Sequence, residues 1–236
     1  VNRRGDAARQ GGGSELRVVH LDEVLAVVDK PAGLVVHPAP SHRGPTLVGE
    51  LREILGGGAE PERPGIVHRL DKGTSGLLVV ARGEAAHAAL QAQVRRREVE
   101  RVYLALAHGR LASRTGTIDA PIGRAARRRH RMAVSGAASR PARTHFAVLE
   151  LLGAESYLEV RLETGRTHQI RAHLAAIGHP LAGDTTYGGK ARYGLTRPFL
   201  HAHRLAFTHP VSGERMAFSS ELPADLAAAL EAARSA

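Results

Sequence analysis

Residues 66–76 read Ile-Val-His-Arg-Leu-Asp-Lys-Gly-Thr-Ser-Gly, and an apolar run, Leu77-Leu78-Val79-Val80-Ala81, follows at once. Five consecutive β-prone residues bounded by Gly76 read as a buried strand, so Asp71 sits on a loop carried by rigid structure. His68, Arg69 and Lys72 bracket that single acid. A carboxylate among cations has its charged form favoured, which suits a nucleophile or a general base. The same pattern also describes an ordinary ion-paired loop aspartate. The loop alone leaves both readings open, and the rest of the chain has to separate them.

The chain has 236 residues, enough for one domain with a full core. Its formal net charge of +10 points to a polyanionic partner, nucleic acid first. Only Lys30, Lys72 and Lys190 are lysines among 33 basic residues, so the charge is carried by arginine. A GC-biased genome produces the same Arg-rich pattern, and the charge is read with that discount. Cysteine is absent, which excludes disulfides, thiolate metal sites and cysteine nucleophiles. No apolar run approaches the ~18 residues of a membrane span. The expectation is a cytoplasmic monomer with no membrane partner. With four Tyr, four Phe and no Trp, base stacking on a broad aromatic platform is not expected.

Residues 1–14 are Gly- and Arg-rich without periodicity and read as a flexible tail or linker stub, with 15–236 as the catalytic domain. Val24–Val28 reads as a strand, Lys30–Gly33 as a turn, and Gly33–Val36 as a second strand. Leu47–Leu55 has the look of a short helix. Glu84–Arg97 has helical spacing with cations in its last turn. Val102–Ala107 reads as a strand, and 108–143 as an extended basic excursion centred on Arg127, Arg128, Arg129, His130 and Arg131. Thr144–Leu152 and Ser156–Glu163 form a hairpin across Gly153-Ala154. A helix is expected from Thr167 to Ile177, with Ile170, Leu174 and Ile177 as its core stripe and Gly178 as its stop. Ala202–Phe207 with Arg215–Phe218 makes another hairpin, and Pro223–Ala233 a closing helix. This mixed order favours an α+β domain.

Several separated blocks carry a more specific signal. Lys30-Pro31-Ala32-Gly33 through His37-Pro38, His68-Arg69-Leu70-Asp71 with Thr74-Ser75-Gly76, Arg101-Val102-Tyr103, Glu163-Thr164-Gly165-Arg166 through His173, and His179-Pro180-Leu181-Ala182-Gly183-Asp184 follow one another along the chain. Together they resemble the RluA-type RNA pseudouridine synthases, and lean toward the large-subunit ribosomal RNA members. The resemblance runs over roughly residues 16–232. The few residues before the first block do not look like the S4 RNA-binding domain that many larger members carry there, so either this is a shorter form or that domain lies outside this chain. Gly73 also stands where an acidic residue is common in the family.

The resemblance implies a pseudouridine synthase fold: a central, mixed, mostly antiparallel bent sheet flanked by helices, with the catalytic cleft across it. It implies an isomerase that detaches uracil from ribose at N1, turns it and rejoins it through C5. No redox change occurs and no bond energy is imported, so no cofactor and no metal are expected. Asp71 matches the catalytic aspartate; attack on the base, attack on the sugar and abstraction of a sugar proton all stay open. Arg171 matches its ion-pair partner, against a surface cap on its own helix. Tyr103 matches the active-site tyrosine, with stacking under the uracil as its first role and a core tyrosine as the alternative. Arg69 matches the position that helps hold a flipped-out conformation, and Ile170 is assigned to substrate binding with it. Apart from the resemblance, the basic run assigns Arg127, Arg128, Arg129 and Arg131 to RNA phosphates, supported by Arg95–Arg97, with a solvated charged surface as the alternative for both. The partner is RNA, ribosomal first and tRNA as the alternative; a non-catalytic RNA-binding or ribosome-assembly module is the other reading of the function. His168 and His173 are badly spaced for one metal, and His179, His201 and His209 are read as hydrogen-bonding structural residues.

Overall fold

The computed structural model describes residues 15–37, 43–58, 64–126 and 131–236. In chain order the strands are β1 (Arg17–Leu21), β2 (Leu25–Lys30), β3 (Ser75–Ala81), β4 (Glu100–His108), β5 (Thr115–Asp119) and β6 (Ile122–Arg124). They continue as β7 (Met132–Val134), β8 (Ala137–Arg140), β9 (Arg143–Leu152), β10 (Glu155–Leu162), β11 (Leu200–Thr208) and β12 (Arg215–Ser219). The helices are α1 (Leu47–Glu50), α2 (Glu84–Arg96), α3 (Gln169–Ala176) and α4 (Ala224–Arg234).

The apolar run after Asp71 is β3, and every residue of it is buried. Burial on both faces requires cover on both sides, and the strand lies inside the sheet accordingly. The sheet runs β1-β2-β3-β11-β4-β10-β9-β5, with β12 paired to β11. Only the β3–β11 pairing is parallel; the others in this sheet are antiparallel. Alternation splits the core in two. Leu78 and Val80 of β3 share a cluster with Tyr103 and Ala105 of β4 and with Ile170 and Leu174 of α3. Leu77 and Val79 face the other way, onto Leu90 of α2 and Phe207. Leu104 and Leu106 also point away from Tyr103, and pack against Leu226 and Leu230 of α4.

Four sequence expectations need correction. Gly33–Val36 is not a strand; Val35 makes only an isolated bridge to Thr46. The carbonyls of Val35 and Val36 instead accept the N–H groups of Leu47 and Val48, so they satisfy the start of α1 rather than a neighbouring strand. That helix is four residues long, capped by the Thr46 side chain, and does not extend to Leu55. The basic excursion contains structure of its own: β5 joins the edge of the main sheet, and β6, β7 and β8 form a small second sheet. Ile122 and Ala142 pack there with Ala172 of α3 and Tyr187. Finally, α3 begins at Gln169 rather than Thr167, because His168 adopts a left-handed backbone with φ +54°. Ile170 and Leu174 are buried as expected, but Ile177 is 42% exposed.

Candidate active site

The Asp71 loop is held at both ends by its own backbone. Asp71 accepts the Thr74 N–H at 3.0 Å, Lys72 accepts the Gly33 N–H at 2.7 Å, and Gly73 accepts Nη1 of Arg197 at 3.0 Å. Gly76 has φ +111°, and a Cβ there would stand 2.3 Å from the Ala202 carbonyl oxygen. Glycine is therefore required where β3 meets β11. The Val79 N–H donates to Nε2 of His68 at 3.3 Å. Burial, helped by Arg101, pushes the His68 pKa down to about 3. His68 is thus neutral, and Lys72 is exposed. The cations adjacent in sequence are not what balances Asp71.

Arg171, a hundred residues away on α3, does that. Its Nη1 donates to Oδ2 of Asp71 at 3.3 Å. Its Nε and Nη2 donate to the two oxygens of Asp184 at 2.7 and 2.9 Å, a fork-to-fork pair buried in the protein. Burial works against the Arg171 charge, yet Asp184 and Asp71 outweigh it and the pKa is raised. The Tyr187 ring lies under the same guanidinium at 4.9 Å and meets Arg131 at 4.6 Å. The Tyr187 hydroxyl accepts the Met132 N–H at 2.9 Å and sits 3.1 Å from Nδ1 of His168. Nε2 of His168 is 3.9 Å from Oδ2 of Asp71. Burial lowers the His168 pKa, against the pull of Asp71. Its left-handed backbone costs about 1–3 kcal/mol and is held where the loop meets the ion pair. Gln169 fastens that corner: Oε1 accepts from Thr164 and Arg166, and Nε2 donates to the Arg143 carbonyl.

A cleft of about 680 Å³ opens above this arrangement, and Arg69, Asp71, Tyr103, Ile170 and Arg171 all line it. Arg95 and Arg97 also line it. Tyr103 is buried on the cleft face of β4, and burial raises its pKa, which disfavours a phenolate. Only one oxygen of Asp71 is engaged among the described residues, so Oδ1 is open for chemistry. The other acid on the walls, Glu163, is tied to Arg97 and His145, each at 2.6 Å. Arg131 is not a cleft residue but a lid on Tyr187; Arg127, Arg128 and Arg129 lie outside the described residues.

The histidines make structural bonds: His173 with Thr144 and the Ala120 carbonyl, His201 with Ser75 and the Ser220 carbonyl, His179 with the His108 carbonyl. His209 bonds its own turn. No described helix is long and apolar enough to cross a membrane. Sequence reasoning gave no role to Asp184, Tyr187, His168 or Arg101. Asp184, Arg101 and His168 each stood in a quoted block, and that was the available signal; Tyr187 stood in none.

Residues 24–176 match the family model described as RNA pseudouridylate synthase. A ribosomal large subunit pseudouridine synthase D of Nitrosomonas europaea is 47% identical over 237 positions, covering 97% of this chain and 68% of its own. One of Pseudomonas aeruginosa is also 47% identical, over 89% of this chain and 69% of its own. Among solved structures, human RNA pseudouridylate synthase domain containing 1 superposes with a TM-score of 0.69 at 30% identity, covering 92% of this chain and 87% of its own. Human RNA pseudouridylate synthase domain containing 4 shares the fold, with a TM-score of 0.71 at 23% identity over 92% of each chain.

Proposed function

We propose large-subunit ribosomal RNA as the substrate of this chain, which belongs to the RNA pseudouridylate synthase family and is an RNA pseudouridine synthase. The names of the Nitrosomonas and Pseudomonas relatives support that choice of RNA. The observation that carries the assignment of the site is the 3.3 Å pair between Asp71 and Arg171 at the floor of a basic cleft.

In this reading the target uridine leaves its stack and enters the cleft. Asp71 supplies the reacting carboxylate through its open oxygen. Arg171 is its counter-charge, fixed in direction by Asp184. Tyr103 stacks under the uracil, Ile170 packs beside it, and Arg69, exposed at the cleft, holds the flipped-out conformation. The N1–C1′ bond breaks, the base turns, and a C5–C1′ bond forms. The C5 hydrogen leaves as a proton and N1 gains one, so no oxidant or reductant is consumed. Every side chain assigned here comes from one chain, which fits a monomer, and we place the activity in the cytoplasm with its RNA.

The test is tritium release from RNA labelled at uridine C5. Wild type is expected to release tritium from transcribed large-subunit ribosomal RNA, and Asp71→Ala to release none. Release from tRNA transcripts alone would reject ribosomal RNA as the substrate; release by Asp71→Ala would reject the assigned site.

A further inference from the structure

Arg101 is a buried cation on the cleft wall without a carboxylate partner among the described residues. It lies two residues before Tyr103 on β4, so both side chains project to the same face of the sheet. The residue is 5% exposed, and its Nε has no hydrogen-bond partner among the described residues. Nη2 makes one long bond, 3.4 Å to the Glu163 carbonyl oxygen. Nη1 makes none among the described residues and faces Gly165, where a Cβ would stand 2.7 Å away. Glu163, whose carbonyl takes the Nη2 bond, has its carboxylate spent on Arg97, Arg143 and His145. Burying a guanidinium unpaired costs several kcal/mol, and a fold that keeps one has a use for it.

We propose that Arg101 is an anion subsite of the cleft and receives the phosphate of the flipped nucleotide while Tyr103 stacks on its base. This rests on the proposal that the cleft takes RNA, and extends it to a named phosphate contact. The setting favours a phosphate over a neutral base edge. Arg95 and Arg97 on the rim and Arg101 further in all line the same cleft, a basic track that leads inward to the stacking tyrosine. A phosphate oxygen arriving at Nη1 supplies the charge that the protein itself withholds. Gly165 lets Nη1 keep this position, since any larger residue there would push the fork aside.

The test uses the whole chain and transcribed large-subunit ribosomal RNA. Wild type is assayed first for tritium release; no release there rejects the substrate reading and not this one. Arg101→Gln is expected to weaken RNA binding about tenfold. The slope of log affinity against log salt should become shallower by about 0.7–0.9, one phosphate contact. Arg101→Lys should keep the slope. The rate at saturating RNA should fall less than the affinity does. A merely structural arginine would leave the salt slope of the folded variant unchanged, and that result overturns the proposal. So does a collapse of the saturated rate with affinity intact, which would place the guanidinium on the detached uracil instead. If Arg101→Gln does not fold, Gly165→Ala keeps the charge but crowds Nη1, and must weaken RNA binding in the same direction; unchanged affinity in that variant also overturns it.

Discussion

Arg171 and Asp184 form a bidentate ion pair, and that pair leaves Nη1 as the one guanidinium nitrogen aimed at Asp71. Arg171 therefore does not choose its own orientation; Asp184 sets it. Asp184→Asn keeps the volume and one acceptor but frees the fork to turn. A misplacement of about 1 Å at a reacting group costs roughly a hundredfold in rate. The expected outcome is a loss of that size in tritium release, with RNA affinity within a few-fold of wild type. Asp184→Ala should also unfold more easily, by about 3–5 kcal/mol, because it strands a buried cation. Unchanged rates in Asp184→Asn would remove the orienting role.

Asp71→Asn tests the opposite side of the same relationship. Arg171 keeps both bonds to Asp184 when Asp71 loses its charge, so the fold should survive. Tritium release should drop to background while the thermal midpoint moves by only a few degrees, as expected of about 1 kcal/mol. A variant that is both inactive and unfolded would mean that the acid is structural.

Much of this was legible because its physical signal is local. The Leu77–Ala81 run, the alternation of Leu158, Val160 and Leu162, and the spacing of Leu90 and Val94 each fix an element from side-chain period alone. The strands β6 to β8 gave no such signal: they are three or four residues long and lie among arginines, so period has nothing to act on. The start of α3 was misplaced because His168 takes a left-handed backbone that sequence gives no reason to expect. At the site, matched blocks brought Asp71, Tyr103 and Arg171 together. The neighbours that act on them, Asp184, Tyr187 and His168, are known only once the chain is folded.

Tyr187 meets two cations over its ring, Arg171 at 4.9 Å and Arg131 at 4.6 Å, and so links the small sheet to the catalytic arginine. Tyr187→Phe keeps the ring but strips the acceptor from the Met132 N–H, which should cost about 1–3 kcal/mol. Tyr187→Leu removes the ring as well, and should lower the saturated rate further than Phe does. Urea unfolding and single-turnover tritium release separate the two effects. Equal rates in Phe and Leu would show that the ring contributes nothing to Arg171.

Lys30 gives the pH dependence its sign. The residue is fully buried, and Nζ donates to the carbonyls of Pro31 at 2.8 Å and Leu34 at 2.9 Å. Burial, then repulsion from Arg197, pulls its pKa down to about 7, with Asp71 opposing. In the unfolded chain the value returns to about 10.4. Below pH 7 both states hold the proton and Lys30 adds no slope. Between about pH 7 and pH 10 the unfolded chain binds more protons, so stability contributed by this group rises with pH. Lys30→Met has no such group. Wild type should gain on the order of 2 kcal/mol relative to Lys30→Met between about pH 7 and pH 9, read from urea unfolding at each pH. A difference between the two proteins that stays flat, or falls with pH, would mean that Lys30 is buried as a cation.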